Sequence, residues 1–280
     1  MTTECYKFEK IIYDDGLFSK TIDATYVIHL EGNGRYNDIL NQFNLYHTTN
    51  IVYIVLNKGY KKCKKADFIN NTSTDLNDAN LSIFRHAKEN NYDNILVLED
   101  DFIFNTEIKS PFHINNINNF LLKKKNKSFQ YYISCIPFLM IPYDEYNYIN
   151  KSTGTHSVVF SKKHRENLLS VNQIKISDWD IYNNKYLNRY AYYTPLCYQL
   201  FPETENSNNW GVNGPFKNVT YFLGKLLKYF FNFLKMDKQV EPGYTIFYNF
   251  SKLLFYILVI LSIIIIYNIT KYTKLKFPYI

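Results

Sequence analysis

A short apolar run that ends in three consecutive acids constrains this chain more than any other feature. The run covers residues 95–98, and Glu99, Asp100 and Asp101 follow it directly. An apolar stretch this short, coming after a helical pattern, is typical of a strand that is buried on both faces of a parallel sheet. Because ligands of open α/β sheets bind at the carboxyl ends of the strands, the three acids are predicted to lie at a binding site.

The acids themselves suggest what is bound. Three adjacent carboxylates repel one another, and burial strengthens the repulsion. A divalent cation is the simplest partner that relieves it, and magnesium or manganese accepts carboxylate and phosphate oxygens as ligands. Glu99, Asp100 and Asp101 are therefore candidate ligands of Mn²⁺ or Mg²⁺. The alternative is a solvated acidic turn, since short acidic motifs are unspecific.

Strand and helix patterns alternate before the acidic strand. Residues 25–30 and 50–56 are rich in β-branched and aromatic side chains and predict two buried strands, and residues 36–46 have apolar side chains at helical spacing. A second helix, capped by Thr74 or Asp75, is predicted to lead to the acidic strand. This β-α-β-α-β order predicts an α/β fold with a Rossmann-type, mostly parallel sheet that is flanked by helices.

The same segments resemble the beginning of the GT-A nucleotide-sugar glycosyltransferases, and among them family 25, the lipopolysaccharide and procollagen galactosyltransferase-like enzymes. In that family the first strand ends in an "INL…R" pattern and a later strand ends in "LEDD". The matching residues here are Ile28-His29-Leu30 with Arg35, and Leu98-Glu99-Asp100-Asp101. The resemblance covers residues 22–210. The chain departs from the family at His29, where the family has Asn, and at Asn80-Leu81-Ser82, where the family has Cys-x-x-Ser-His.

The resemblance implies a fold, a donor and a metal. The fold is GT-A-like, the donor is a nucleotide sugar, expected to be a UDP-sugar, and Mn²⁺ or Mg²⁺ is held by Asp101 together with Glu99 or Asp100. Residues at the ends of the first two strands and on the second helix are then expected to contact the nucleotide. These are His29, Leu30, Arg35, Asn57, Lys58 and Asn80.

A second pair of acids flanks a tryptophan in the sequence Asp178-Trp179-Asp180. Inverting GT-A enzymes place one carboxylate opposite the metal strand as general base, often in a short acidic segment before a helix. The resemblance therefore makes Asp178 or Asp180 the base that deprotonates the acceptor hydroxyl. In a regular helix, two residues this close are not expected to face one substrate. The alternative is ordinary helix capping by an aspartate.

Several residues are candidates for the acceptor site. Trp179 offers a sugar ring a flat apolar face. His156 lies in a segment that resembles one beside the acceptor site of GT-A enzymes, although a histidine on a strand is more often a buried structural group. Residues 192–210 are rich in hydroxyl, amide and aromatic groups, which suits either carbohydrate binding or a structural segment at the edge of the sheet. Their candidates are Gln199, Asn206 and Trp210.

The C-terminal part has the composition of a membrane anchor. Residues 216–236 mix aromatic and basic side chains, which is typical of an amphipathic helix on a membrane surface, with a packed core helix as the alternative. Residues 244–271 are apolar and long enough to span a bilayer of about 30 Å. The predicted divisions are an N-terminal extension (1–21), a catalytic domain (22–215), the surface helix and its linker (216–243), a single transmembrane anchor (244–271) and a basic tail (272–280).

Charge and cysteine content exclude some classes of protein. The net charge of +7 is modest and no nucleic-acid-binding motif is present, so no nucleic-acid partner is expected. The cysteines, Cys5, Cys63, Cys135 and Cys197, lack the spacing of a zinc site and are too scattered to predict a disulfide framework. We therefore expect a reducing compartment and, since the first residues do not resemble a secretory signal, a cytosolic catalytic domain. Frequent Asn, Lys, Ile and Tyr are typical of an AT-rich genome such as that of a large DNA virus or a protist.

These features predict a membrane-anchored, metal-dependent, inverting hexosyltransferase with a glycan, lipid or protein acceptor. One alternative is a non-catalytic, membrane-tethered binding protein that retains the fold, although the intact acids argue against it. Another is a different metal-dependent enzyme acting on phosphates, such as a phosphatase or a nucleotidyltransferase. A nucleotidyltransferase of related fold is expected to have a glycine-rich loop after the first strand, and Gly32-Asn33-Gly34 resembles such a loop only faintly.

Overall fold

Strands and helices alternate through the first part of the chain, as the sequence predicts. The computed structural model describes residues 5–176, 178–201 and 217–276. The strands are β1 (Tyr6–Ile12), β2 (Ala24–Leu30), β3 (Ile51–Asn57), β4 (Asn94–Glu99), β5 (Phe102–Phe104), β6 (Gln130–Tyr132), β7 (Ile136–Pro142), β8 (Asn147–Thr153), β9 (Ser157–Ser161), β10 (Arg189–Tyr192) and β11 (Cys197–Gln199). The helices are α1 (Tyr36–Leu45), α2 (Thr72–Glu89), α3 (Pro111–Lys123), α4 (Lys162–Leu169), α5 (Trp179–Asn183), α6 (Lys217–Phe233) and α7 (Gly243–Lys276).

Nine strands form one sheet in the order β1-β3-β2-β4-β9-β6-β10-β8-β7. Strands β2, β3, β4, β6, β7 and β10 run in one direction, and β1, β8 and β9 run in the other. Strands β5 and β11 pair with each other in a small separate sheet. The predicted α/β fold with a mostly parallel central sheet is confirmed.

Helices cover both faces of this sheet. Along β2 and β4, Tyr26 and Val97 belong to one buried cluster, whereas Val27 and Leu96 belong to the other. The first cluster also contains residues of α2 and α5, and the second contains residues of α1 and α3. Because both faces are buried, the central strands are apolar throughout, which is why they stand out in the sequence as continuous apolar runs.

The chain reverses its path across the sheet between β2 and β4. Strand β3 follows β2 through α1 and lies on one side of it, whereas β4 comes next through α2 and lies on the other side. The two strands end at the same edge, since Ile28 near the end of β2 pairs in parallel with Glu99 at the end of β4. Open α/β sheets bind their ligands at such a switch point. The acids after β4 therefore meet the loop after β2.

Helix α2 begins earlier than predicted. Its N-cap is Asn71, whose side chain accepts a hydrogen bond from the backbone N–H of Thr74 at 3.0 Å. The hydroxyl of Thr74 in turn accepts from the backbone N–H of Asn71 at 3.3 Å. The predicted N-cap, Thr74 or Asp75, is therefore wrong by three or four residues. Thr74 lies in the first turn of the helix, where its hydroxyl accepts from the backbone of the true N-cap, Asn71.

Cys5 and Cys63 form a disulfide bond, which the sequence analysis did not predict. Strand β1 runs antiparallel to β3 with Tyr6 opposite Asn57, so the N-terminal end of β1 returns to the loop after β3. The expectation of no disulfide is therefore wrong, because strand pairing joins cysteines that are far apart in sequence. The expectation of a reducing compartment loses this support, and the cytosolic placement of the catalytic domain stays a prediction.

Helix α7 contains a segment, Gly243–Lys271, that is long and apolar enough to cross a membrane. One face of its first turns is nevertheless buried in the protein, whereas Ile246 and Phe250 are exposed. Tyr244 and Tyr248 belong to the same buried cluster as α2 and α5, and the ammonium of Lys252 donates to the backbone oxygen of Tyr193 at 2.6 Å. The predicted boundary between linker and anchor therefore falls inside a packed region.

Candidate active site

A cavity of about 650 Å³ lies at the carboxyl end of β4. Four carboxylates line it, those of Glu99, Asp101, Asp178 and Asp180. Glu99 ends β4 and Asp101 follows it, whereas the other two lie at the start of α5, whose Trp179 belongs to the buried cluster on one face of the sheet. The volume is within the range of about 300–1,000 Å³ that is usual for small-molecule sites. The structure thus brings acids from both predicted groups to one cavity.

Asp100 does not line this cavity. Its carboxylate accepts hydrogen bonds from the backbone N–H of Leu30 at 3.2 Å and from the guanidinium of Arg35 at 2.9 Å. It also accepts one from the side-chain amide of Asn33 and lies 3.1 Å from Nδ1 of His29. Burial raises the pKa of Asp100, but these partners lower it further, so its pKa lies below the ordinary value. Asp100 therefore links the ends of β4 and β2, and three of the predicted nucleotide contacts bind it.

Glu99 and Asp101 face the cavity with their charges poorly compensated. Burial raises the pKa of Glu99 to about 8, and the nearby carboxylates of Asp180 and Asp101 add to the effect. Burial also raises the pKa of Asp101 to about 7, against the opposing influence of Arg35, whose guanidinium lies 3.4 Å away. Oδ1 of Asp101 is buried without a hydrogen-bond partner. A cation or a proton is needed to stabilise this group of carboxylates.

Asp178 and Asp180 differ in their hydrogen bonds. Asp178 is the N-cap of α5 and accepts from the backbone N–H of Ile181 at 2.9 Å. Asp180 accepts with Oδ2 alone, from the hydroxyl of Thr153 at 2.6 Å and the backbone N–H of Gly154 at 2.9 Å, and its Oδ1 is buried without a partner. The regular helix on which that expectation depended does not extend to Asp178, because Asp178 is extended and precedes α5, and both carboxylates line the cavity. The buried oxygen without a partner in this pair is Oδ1 of Asp180.

Two predicted acceptor residues, Trp179 and Gln199, line the cavity. Trp179 is almost fully buried, and its indole Nε1 has no hydrogen-bond partner. Gln199 reaches the cavity because β11 pairs with β5, which sets Gln199 opposite Phe102 and next to Asp101. The side chain of Gln199 lowers the pKa of Asp101. Both side chains therefore line the cavity together with the four acids.

His156 is buried and does not line the cavity. Its Nε2 lies 3.2 Å from the backbone oxygen of Cys197 and 3.5 Å from the hydroxyl of Tyr244. Burial lowers the pKa of His156 to about 4, so the ring is neutral at physiological pH. Its Nδ1 is buried without a hydrogen-bond partner, and the role of His156 at an acceptor site stays a prediction. Asn206 and Trp210 lie outside the described residues.

The other predicted nucleotide contacts, Asn57, Lys58 and Asn80, do not line the cavity either. The side chain of Asn57 donates to Asp75 at 2.9 Å and accepts from the backbone N–H of Gly59 at 2.9 Å. Asn80 donates to a backbone oxygen of its own helix at 3.0 Å. Lys58 is exposed to solvent. The side chains of Asn57 and Asn80 therefore bind other groups of the protein. Their positions at a strand end and on a helix did not predict these partners.

A threonine-glycine-threonine segment, residues 153–155, contacts the acids, although the sequence singled out only His156 in this region as a candidate. Thr153 and Gly154 hold Asp180, and the hydroxyl of Thr155 lies 3.3 Å from Glu99. Gly154 has a φ of +74°, a left-handed conformation that favours glycine. The available signal was its place just before β9, because β9 pairs antiparallel with β4 and so begins where β4 ends.

No family model matches the chain, and no curated protein matches it. One similar solved structure is a glycosyltransferase involved in the glycosylation of the major capsid of PBCV-1, with a TM-score of 0.31 and 11% identity over 52% of this chain and 62% of that one. Another is A197 from STIV, with a TM-score of 0.38 and 12% identity over 64% of this chain and 85% of that one. The match to the PBCV-1 enzyme thus spans less than two thirds of its length. At these values function does not follow from likeness, and the family 25 resemblance stays a prediction.

Proposed function

We propose that this chain is a membrane-anchored, metal-dependent glycosyltransferase that moves a sugar from a UDP-sugar to a hydroxyl acceptor. One observation supports the proposal most. Oδ1 of Asp101 and Oδ1 of Asp180 are both buried without a partner, and both residues line one cavity at the switch point of the sheet. Buried polar atoms in folded proteins nearly always have partners. Two such oxygens in one cavity therefore favour a ligand that completes their bonding.

Glu99 and Asp101 suit a hard divalent cation. Within residues 5–176, 178–201 and 217–276, no three His, Cys, Asp or Glu side chains form a ready-made metal site. Magnesium, however, is commonly held by one or two carboxylates together with substrate phosphates. Glu99 and Asp101 would hold the cation with the diphosphate of the donor, and the unpartnered Oδ1 of Asp101 fits that role. When bound, the cation neutralises charge that develops on the leaving diphosphate.

Asp180 acts as the general base. Thr153 and Gly154 hold its Oδ2, which leaves Oδ1 to accept the proton of the acceptor hydroxyl. The hydroxyl oxygen bonds to the anomeric carbon of the sugar as the bond from that carbon to the diphosphate breaks, and UDP leaves with the electron pair. This single displacement inverts the configuration of the anomeric carbon. Trp179 and Gln199 contact the transferred sugar.

The test uses the full chain in detergent micelles, because the first turns of α7 belong to the core and cannot be removed. The protein is incubated with a panel of UDP-sugars, with and without Mn²⁺, and both released UDP and glycosylated product are measured. The variants are Asp101→Asn and Asp180→Asn, and the matched control is Asp93→Asn, since Asp93 is exposed and does not line the cavity.

We expect Mn²⁺-dependent release of UDP from one sugar, retained in Asp93→Asn and lost in Asp101→Asn. Asp180→Asn should still bind UDP with Mn²⁺, seen as a rise in melting temperature, but should not transfer sugar. If no sugar gives release and UDP with Mn²⁺ leaves the melting temperature unchanged, the proposal is wrong. Transfer of the nucleotide, or release of inorganic phosphate, would instead identify one of the alternative phosphate enzymes.

A further inference from the structure

The cavity that contains the four acids is apolar over much of the rest of its wall. Helix α6 contributes five apolar residues to this wall, Leu223, Leu226, Leu227, Phe230 and Phe231. The first turns of α7 contribute Phe247. Neither a UDP-sugar nor a free glycan has a long apolar part to place against them. The cavity therefore has more apolar surface than the donor needs.

This apolar part is an open groove rather than a closed core. Leu223, Leu226 and Phe230 line the cavity, yet they are 53%, 40% and 45% exposed. Phe247 lies in Gly243–Lys271, the helical segment that can cross a membrane. The groove is thus continuous with the helix surface that a bilayer would cover. A lipid in that bilayer could place its head group at the acids while its chain stays on apolar side chains.

The charge of the cavity distinguishes between kinds of lipid. Its described lining residues include the four acids and no Lys, Arg or His. In the proposed mechanism the cation would be bound to the donor diphosphate, so it would not neutralise a phosphate on the acceptor. A second phosphate, on the acceptor, would lie beside carboxylates and would find no Lys, Arg or His in the described lining to pair with it, which is unfavourable in a partly buried site. The cavity therefore fits an uncharged head group that carries a hydroxyl.

We propose that the acceptor is an uncharged lipid with a free hydroxyl, of the acylglycerol kind, whose chain lies along α6 and Phe247. This inference rests on the proposed function and names the substrate class of the same site. The hydroxyl gives its proton to Oδ1 of Asp180, its oxygen bonds to the anomeric carbon of the sugar, and UDP leaves with the electron pair of the broken bond. The product is a neutral glycolipid that remains in the membrane.

The experiment compares acceptors that differ in chain length or in charge. The full chain in mixed micelles is given Mn²⁺, the UDP-sugar that is turned over, and 1-acylglycerols from butanoyl to hexadecanoyl. A second series contains the matching 3-phosphates. We expect kcat/KM to rise by about tenfold or more from the shortest to the longest chain, since each methylene that enters the groove adds buried apolar area. We expect each 3-phosphate to be a poorer acceptor than its neutral counterpart by about tenfold or more.

Two variants of α6 then locate the effect. Phe230 lines the groove, whereas Phe233 is on the same helix, is 69% exposed and does not line it. Phe230→Glu should lower the ratio of kcat/KM for the longest chain to kcat/KM for the shortest by about tenfold. Phe233→Glu, the matched control, should leave this ratio unchanged.

The outcomes separate this inference from the function on which it rests. Release of UDP without any dependence on chain length, a preference for the 3-phosphates, or an equal effect of both α6 variants would overturn the lipid acceptor and leave the glycosyltransferase intact. The absence of Mn²⁺-dependent UDP release from every sugar, with water as well as lipid as acceptor, would overturn the glycosyltransferase itself.

Discussion

Two groups of buried polar side chains, among several in the described part of the molecule, differ in how completely they are paired. The first, which we call the Arg189 network, consists of Arg189, Tyr132, Gln130, His164 and Asn183. Arg189 donates to the hydroxyl of Tyr132 at 2.7 Å, and that hydroxyl donates to Gln130 at 2.8 Å. The amide of Gln130 donates to Asn183 at 2.8 Å and lies 2.7 Å from Nε2 of His164. Only Nε of Arg189 lacks a partner within this network.

The second group, the acidic site, consists of Glu99, Asp101 and Asp180. Two of its carboxylate oxygens have no hydrogen-bond partner. Its members carry like charges close together, whereas the members of the Arg189 network pair donors with acceptors. A completed network stabilises the fold and fixes its geometry, because every member satisfies another. An incomplete group costs stability by itself and persists where a ligand completes it. The contrast supports a structural role for the first group and the proposed chemical role for the second.

The largest expected effect separates activity from stability at the acidic site. Asp180→Asn keeps an oxygen that accepts from Thr153 and Gly154 but removes the base, so sugar transfer should fall by about 10²–10⁴-fold. The melting temperature should fall little, if at all. Asp178→Asn retains the helix cap and should lower transfer less. Equal losses in the two variants, measured as initial rates at saturating donor, would contradict the assignment of Asp180.

The network should show the opposite behaviour. Arg189→Met removes a fully buried donor group and leaves Tyr132 and Ser152 without it, so unfolding free energy should fall by about 3 kcal/mol. The loss is measured as a shift of the urea unfolding midpoint, with transfer activity per folded molecule as the control. A large loss of activity in folded Arg189→Met protein would break the division between the two groups.

The sequence identified the acidic site better than it identified the network. Glu99 and Asp101 follow an apolar run, and the rule that ligands bind at strand ends needs no knowledge of side-chain contacts. Asp100 has the same local pattern, yet it faces the loop after β2, because neighbours far away in sequence decide where each carboxylate turns. The network and the Cys5–Cys63 bond depend on strand pairings that no local pattern contains. Local periodicity therefore predicts the secondary-structure elements and the ligand-binding edge of the sheet. The pairing of distant segments decides which side chains become hydrogen-bond partners.

The pH dependence of stability gives a smaller test of the network. Burial lowers the pKa of His164 from 6.5 to about 3. Between these pH values the unfolded chain binds a proton at His164 that the folded protein does not. The contribution of neutral His164 to the free energy of unfolding is therefore complete above pH 6.5 and is lost as the pH falls. The slope approaches about 1.4 kcal/mol per pH unit for one proton. His164→Gln should make the melting temperature depend less on pH between 7 and 5, and an unchanged slope would contradict this.

The smallest expected effect concerns Gly154, which joins the acidic site to the sheet. A Cβ atom at Gly154 would lie 3.3 Å from Nδ1 of His156, and φ is +74°, so Gly154→Ala should cost about 1–2 kcal/mol. Gly34→Ala is a control for stability, because Gly34 has a similar φ of +83° with nothing within 4 Å of its Cβ. Because the N–H of Gly154 donates to Asp180, the Gly154→Ala variant should also lose transfer activity beyond its loss of stability. Equal melting temperatures in the two variants, with full activity in Gly154→Ala, would show that the backbone at Gly154 does not position the base.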